Sequence, residues 1–130
     1  MLYISFAWTS DAFKVGVKHR TRRSWTTDYA QRFIRAFRGQ DIIGALDKNF
    51  RFGGKQIGTL RLTEEPFQQL TSKMSEFDYK AEGLYWMEKQ GIKIRGLTPR
   101  DFFEAWKEED EMVWVVTFVK TDPLMMNLGQ

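Results

Sequence analysis

The sequence has no cysteine and a single histidine, His19. The first absence excludes disulfides, thiol nucleophiles and thiolate metal sites, and the second removes the imidazole clusters on which zinc and iron sites are usually built. The expectation is therefore no metal and no cofactor. Only three prolines occur, and no Pro/Ser-rich or low-complexity stretch marks a linker. No apolar run approaches the roughly 18 residues that cross a bilayer. Residues 1–8 lack the basic flank and length of a signal peptide, which reads as a cytoplasmic protein with no membrane partner. The residue types left for chemistry are Lys, Arg, Thr, Ser, Tyr, Asp and Glu.

With 130 residues, 42% hydrophobic and 28% charged, the chain has the composition of one globular domain. A domain of this size buries roughly two-thirds of the surface its unfolded chain exposes, so packing alone can stabilise it. The reading is one domain over residues 1–122 with a frayed tail at 123–130. The net charge of +3 hides an asymmetry. Residues 1–63 carry 12 Lys/Arg against 4 Asp/Glu, and residues 64–130 carry 8 against 13. A basic half suits a polyanion, and the acidic half leaves room for a protein partner.

Hydrophobic periodicity then places the elements. Residues 2–6 alternate as a first strand, and Thr9-Ser10-Asp11 opens a short helix that Gly16 can end. Residues 18–25 follow as a turn into a polar strand. In residues 27–38, Tyr29, Phe33 and Phe37 stand four apart with Ala30 and Ile34 beside them, one helical stripe, and Gly39 is a natural stop. Residues 41–46 and 57–63 read as a hairpin around a 47–56 loop that contains Gly53-Gly54. Residues 64–91 turn helical and irregular. Thr98-Pro99-Arg100-Asp101 carries a cap, a proline at the first helical position and an acidic residue, opening a helix to about Glu108. Residues 112–119 are apolar on both faces and predict a central strand.

The densest polar cluster is Lys18-His19-Arg20-Thr21-Arg22-Arg23. In a strand, Thr21 and Arg23 face one side and Arg20 and Arg22 the other. Lys18 meets Thr21 only if the chain turns there, as at a helix-to-strand corner, and Gly16 just upstream permits that turn. A lysine among arginines has its neutral form favoured, and such a base can take the proton of a threonine hydroxyl for acyl transfer. The same cations explain phosphate contact without catalysis. Both readings stay open on composition.

Lys18-x-x-Thr21-x-Arg23, followed by Phe37-x-Gly39-x-Asp41 and the strand Gly58-Thr-Leu-Arg-Leu62, resembles the ASCH domain family over most of the chain. The resemblance implies an α+β fold: a small, mixed, mostly antiparallel PUA-like β-barrel with flanking helices, of the kind used for RNA binding. It also implies a later glutamate, which the stretch Asp78-Tyr-Lys-Ala-Glu82-Gly83 places at Glu82. Small bacterial members of the family are amidohydrolases of N4-acetylated cytidine. Carried over, their Lys, Thr and Glu triad becomes Lys18, Thr21 and Glu82. The chain departs from the family in the His19-Arg20 pair inside the motif and in insertions at 47–56 and 84–99.

Two functions follow as expectations. One is recognition of RNA, or of a nucleoside or nucleotide, with Arg20, Arg22, Arg23 and Lys55 on phosphate and Trp25 stacking a base. The other is hydrolysis of an N4-acylated cytidine or a similar amide by Lys18, Thr21 and Glu82, with Arg23 on the oxyanion. Arg61 is either a phosphate contact or an exposed strand residue. Tyr85 and Trp86 are candidates for the opposite wall, Asp41 fixes a turn, His19 faces solvent, and Glu108-Glu-Asp-Glu111 forms a solvated turn.

Overall fold

The computed structural model describes residues 1–121, so the tail expected to fray lies outside the described residues. In chain order the elements are strand β1 (Tyr3–Ser5), helix α1 (Ser10–Lys14), β2 (Arg20–Arg23), α2 (Thr27–Arg38), β3 (Ile43–Leu46), β4 (Gln56–Leu62), β5 (Phe67–Leu70), α3 (Glu76–Ala81), α4 (Leu84–Lys89), α5 (Pro99–Glu108) and β6 (Met112–Thr121). The fold is α+β, with a mostly antiparallel six-stranded sheet whose main path runs β1-β3-β4-β6-β2, with β5 pairing β6 beside it.

β6 organises the sheet, as its two-sided apolar pattern requires. Its first half pairs with β5 on one side, Phe67 opposite Val115, while Arg22 of β2 lies opposite the same Val115 on the other. Its second half pairs with β4, Leu62 opposite Phe118. β3 and β4 form the expected hairpin, with a bulge at Ala45/Leu46, and β1 joins β3 in the one parallel pair. β5 was not legible in the sequence, because Phe-Gln-Gln-Leu carries too little apolar alternation. It forms because the backbone groups of Met112 to Val115 need partners on both sides.

The expected barrel is not closed. β1 and β2 end the sheet, and between them runs a side-chain contact, Arg23 Nη2 donating to Ser5 O at 2.5 Å. A ladder there would need one more strand pairing than these short edges supply. The space beside this contact becomes the site.

The two larger apolar clusters hold the layers together. Phe6, Phe13, Phe33, Leu60, Val116 and Phe118 pack α1 and α2 against the sheet. Met74, Tyr79, Leu84, Met87, Ile94 and Phe103 join α3, α4 and α5 into a helical layer. In α2, Thr26 accepts from Tyr29 N at 3.1 Å as the cap, and Phe33 is fully buried. Gly39 ends α2 with ordinary helical dihedrals (φ −84°), and the left-handed residue is Gln40 (φ +53°). Gln40 Nε2 donates to Phe37 O at 2.8 Å, which helps to hold that conformation. α5 starts on its predicted cap, Thr98 accepting from Asp101 N at 3.1 Å.

Gly83 is the glycine on which the site depends. It has φ +92°, and a Cβ added there would stand 2.7 Å from the Ala12 Cβ. Only glycine lets the α3–α4 turn approach α1 and the stem of Lys18 this closely. Gly83→Ala is expected to lower the unfolding free energy by about 1–3 kcal/mol, read from the urea midpoint.

Candidate functional site

The sequence of β2 places its side chains on two faces by simple alternation, and each face meets a different environment. On one face are Arg20 and Arg22, which the structure closes in ion pairs. Arg20 donates to Asp78 Oδ1 at 2.9 Å, Glu64 Oε1 at 3.0 Å and Thr117 Oγ1 at 2.9 Å. Phe67 and Phe77 cover its guanidinium, with ring centroids 5.6 and 5.1 Å away. Arg22 donates to Glu82 Oε2 at 2.6 Å, Asp78 Oδ1 at 2.8 Å and Gln69 Oε1 at 2.9 Å, and its side chain is wholly buried.

Lys18 lies in the corner between α1 and β2. The turn is fixed by Gly16 (φ +82°), and the backbone is then tied by His19 N to Ala81 O at 2.7 Å and Phe118 N to His19 O at 2.8 Å. The side chain of Lys18 is buried. Its Nζ donates to the backbone O of Glu82 at 2.9 Å and to Glu82 Oε1 at 3.1 Å. Glu82 sits at the C-terminal end of α3, so the turn at Gly83 presents both its carbonyl and its carboxylate to the lysine.

Three cations, Lys18, Arg20 and Arg22, thus share three carboxylates, Glu64, Asp78 and Glu82. The basic half and the acidic half of the chain neutralise each other here instead of forming opposed surfaces. Burial opposes ionisation of Asp78, yet hydrogen bonds from Arg22, Ser75 N and Arg20 hold its carboxyl below the usual aspartate value. Lys18 moves the other way: burial pulls its pKa below the ordinary lysine value, and Glu82 only partly offsets this.

On the other face of β2, Thr21 is buried and its Oγ1 accepts from Arg23 Nε and Nη2, both at 3.2 Å. A hydroxyl that accepts these bonds keeps its own proton to give. Arg23 is half-buried, and its partners are a hydroxyl and a carbonyl. Among the described residues no carboxylate lies within ion-pair distance of it. Burial accordingly draws its pKa below the ordinary arginine value, with Glu82 and then Tyr29 acting in opposition.

Lys18, Thr21, Arg22, Arg23 and Glu82 line one cleft of about 240 Å³, walled also by Phe6, Trp8 and Trp106. Trp8 meets Phe102 edge to face, centroids 5.0 Å apart at 72°, and Trp106 packs on the same ring at 6.0 Å. These two tryptophans escaped the sequence reading. Their cue was the periodic helix after Thr98, but its docking against the residue 7–9 turn is a tertiary fact.

The remaining candidates lie apart. Trp25 stacks on Phe33, centroids 4.2 Å apart at 21°, and lines a second, wider cleft that also touches Arg23. Lys55 and Arg61 are exposed and line neither cleft. Tyr85 lies under Lys80 and Lys89, Trp86 packs in the helical layer, and His19 is exposed. Phosphate contact by Arg22 does not fit its burial between two carboxylates, and Arg20 is similarly engaged. The acidic turn before β6 is partly tied down, Ser24 Oγ donating to Glu111 Oε1 at 2.5 Å and Ser72 bonding Asp110.

Among the described residues no group of His, Asp or Glu is placed to hold a metal, and no helix is long and apolar enough to cross a membrane. No family model and no curated protein matches the sequence. A crystal structure of protein EF3133 from Enterococcus faecalis V583, described with the family model DUF984, matches with a TM-score of 0.43 and 19% sequence identity. The match covers 83% of this chain and 63% of that one, so this chain spans less than two-thirds of its length.

Proposed function

We propose that the Lys18 cleft hydrolyses a linear amide, of which an N4-acylated cytidine is the first candidate, with Thr21 as nucleophile, as the ASCH resemblance implies. The observation that carries this reading is the convergence of Lys18, Thr21 and Glu82 on one small cleft, with a buried lysine as base and a hydroxyl that accepts from Arg23. Neutral Lys18 takes the Thr21 proton, and Oγ1 bonds to the acyl carbon. The carbonyl oxygen becomes an oxyanion that Arg23, already beside Oγ1, stabilises. The proton then passes from the Lys18 ammonium, along its bond to Glu82, to the leaving nitrogen as the C–N bond breaks. Water hydrolyses the resulting ester and restores Thr21.

A cleft of about 240 Å³ suits an acyl group and part of a ring, not a nucleic-acid strand. The neutralisation of Arg20 and Arg22 likewise favours a small ligand over phosphate-backbone binding. The test is ultraviolet-monitored turnover of N4-acetylcytidine by the purified protein. Conversion to cytidine with the wild type is the expected result; no conversion by correctly folded protein overturns this substrate.

A further inference from the structure

We propose that the wider cleft beside Arg23 binds a flat aromatic ring carrying an anionic group, and that its ligand is a nucleoside monophosphate rather than an uncharged nucleoside. The inference rests on the reading of the Lys18 cleft as the reacting half of one site, because Ser5 and Arg23 line both cavities.

Three observations point to this ligand class. The cleft holds about 710 Å³, within the range of small-molecule sites and three times the volume that the acyl-sized cleft offers. Its walls are two braced aromatic pairs. Trp25, fixed on Phe33, meets Tyr29 edge on at 5.2 Å and 66°; Tyr3 meets Phe50 edge on at 5.0 Å and 76°. A planar ring entering the cleft finds aromatic surface on the β1 side and on the α2 side.

The third observation is charge. The cleft is lined by Arg23 and Arg32, and no Asp or Glu lines it. Arg32 is exposed and lies over the Tyr29 ring at 5.2 Å, while Arg23 is the cation of β2 that has no carboxylate partner among the described residues. Every other cation of the β2 network is balanced one for one. A half-buried guanidinium with only a hydroxyl and a carbonyl to bond favours an incoming anion, and phosphate matches its planar donors.

The test is isothermal titration of the protein with cytidine 5′-monophosphate, cytidine and ribose 5-phosphate, alongside Arg32→Gln and Trp25→Leu variants. The expected result is that the nucleotide binds about tenfold or more tighter than either fragment, since it alone carries both ring and anion. Arg32→Gln should lower its affinity toward that of cytidine and leave cytidine unchanged, whereas Trp25→Leu should weaken both. Equal affinity for nucleotide and nucleoside, ribose 5-phosphate binding as tightly as the nucleotide, or no nucleotide binding at millimolar concentration each overturns the inference. Nucleotide binding by a protein that turns over no acylated cytidine supports this cleft and removes the hydrolase reading. Turnover of N4-acetylcytidine and its monophosphate with equal kcat/KM removes this inference and keeps the hydrolase.

Discussion

Glu82→Ala is expected to lower the unfolding free energy by about 3–5 kcal/mol, a large part of the roughly 5–15 kcal/mol that holds a domain together. Glu82 is buried, and its two oxygens serve two buried cations: Oε1 takes Lys18 at 3.1 Å and Oε2 takes Arg22 at 2.6 Å. Truncation leaves Lys18 with only the Glu82 backbone carbonyl and Arg22 with only Asp78 and Gln69.

Two companion variants separate charge from volume. Glu82→Gln keeps the shape and an acceptor but not the charge, and should lose less than the alanine variant. Lys18→Met removes a cation that burial already disfavours and leaves Glu82 paired to Arg22, so its loss should be the smallest of the three. Urea denaturation reads all three. Equal losses would mean that the site is held by packing, with the ion pairs contributing little.

Thr21→Ala is expected to reduce turnover of N4-acetylcytidine by about 10³-fold or more, because removal of a nucleophile leaves only binding and oxyanion stabilisation. The fold should survive. Thr21 pairs with Val116 through backbone groups that alanine keeps, and the bonds lost are the two from Arg23, which retains Ser5 O. Retained turnover in a folded Thr21→Ala protein would dismiss this nucleophile.

The pH profile gives an independent reading of the base. The mechanism needs neutral Lys18, whose pKa burial lowers from the ordinary 10.5. Since a base with a lowered pKa loses its proton earlier as pH rises, kcat/KM should climb with pH and level off below 10.5. An ascending limb centred at or above the ordinary lysine value would place Lys18 outside the proton transfer. In Lys18→Met the limb should vanish together with the activity.

Much of the chain was legible because the relevant physics is local. The four-residue spacing of Tyr29, Phe33 and Phe37 needs no partner to predict α2, and the cap at Thr98 and proline at Pro99 announce α5. The apolar run of residues 112–119 could only be a strand covered on both faces, and β6 is central. Alternation alone separated Thr21 and Arg23 from Arg20 and Arg22, and the positive-φ Gly16 expected just before Lys18 stands at the corner into β2.

Charge neutralisation and closure belonged to tertiary structure. Arg20, Arg22 and Arg23 are chemically identical in the sequence, and a local pattern cannot tell which will meet Glu64, Asp78 or Glu82, 44 to 60 positions away. Docking of α3 against β2 made two of them structural and left Arg23 between two clefts. The open edge between β1 and β2, the short strand β5 and the entry of Trp8 and Trp106 into the cleft have the same origin. Periodicity is written residue by residue along the chain, whereas ion pairing, strand pairing and cavity walls depend on which distant segments the packing of the core brings together.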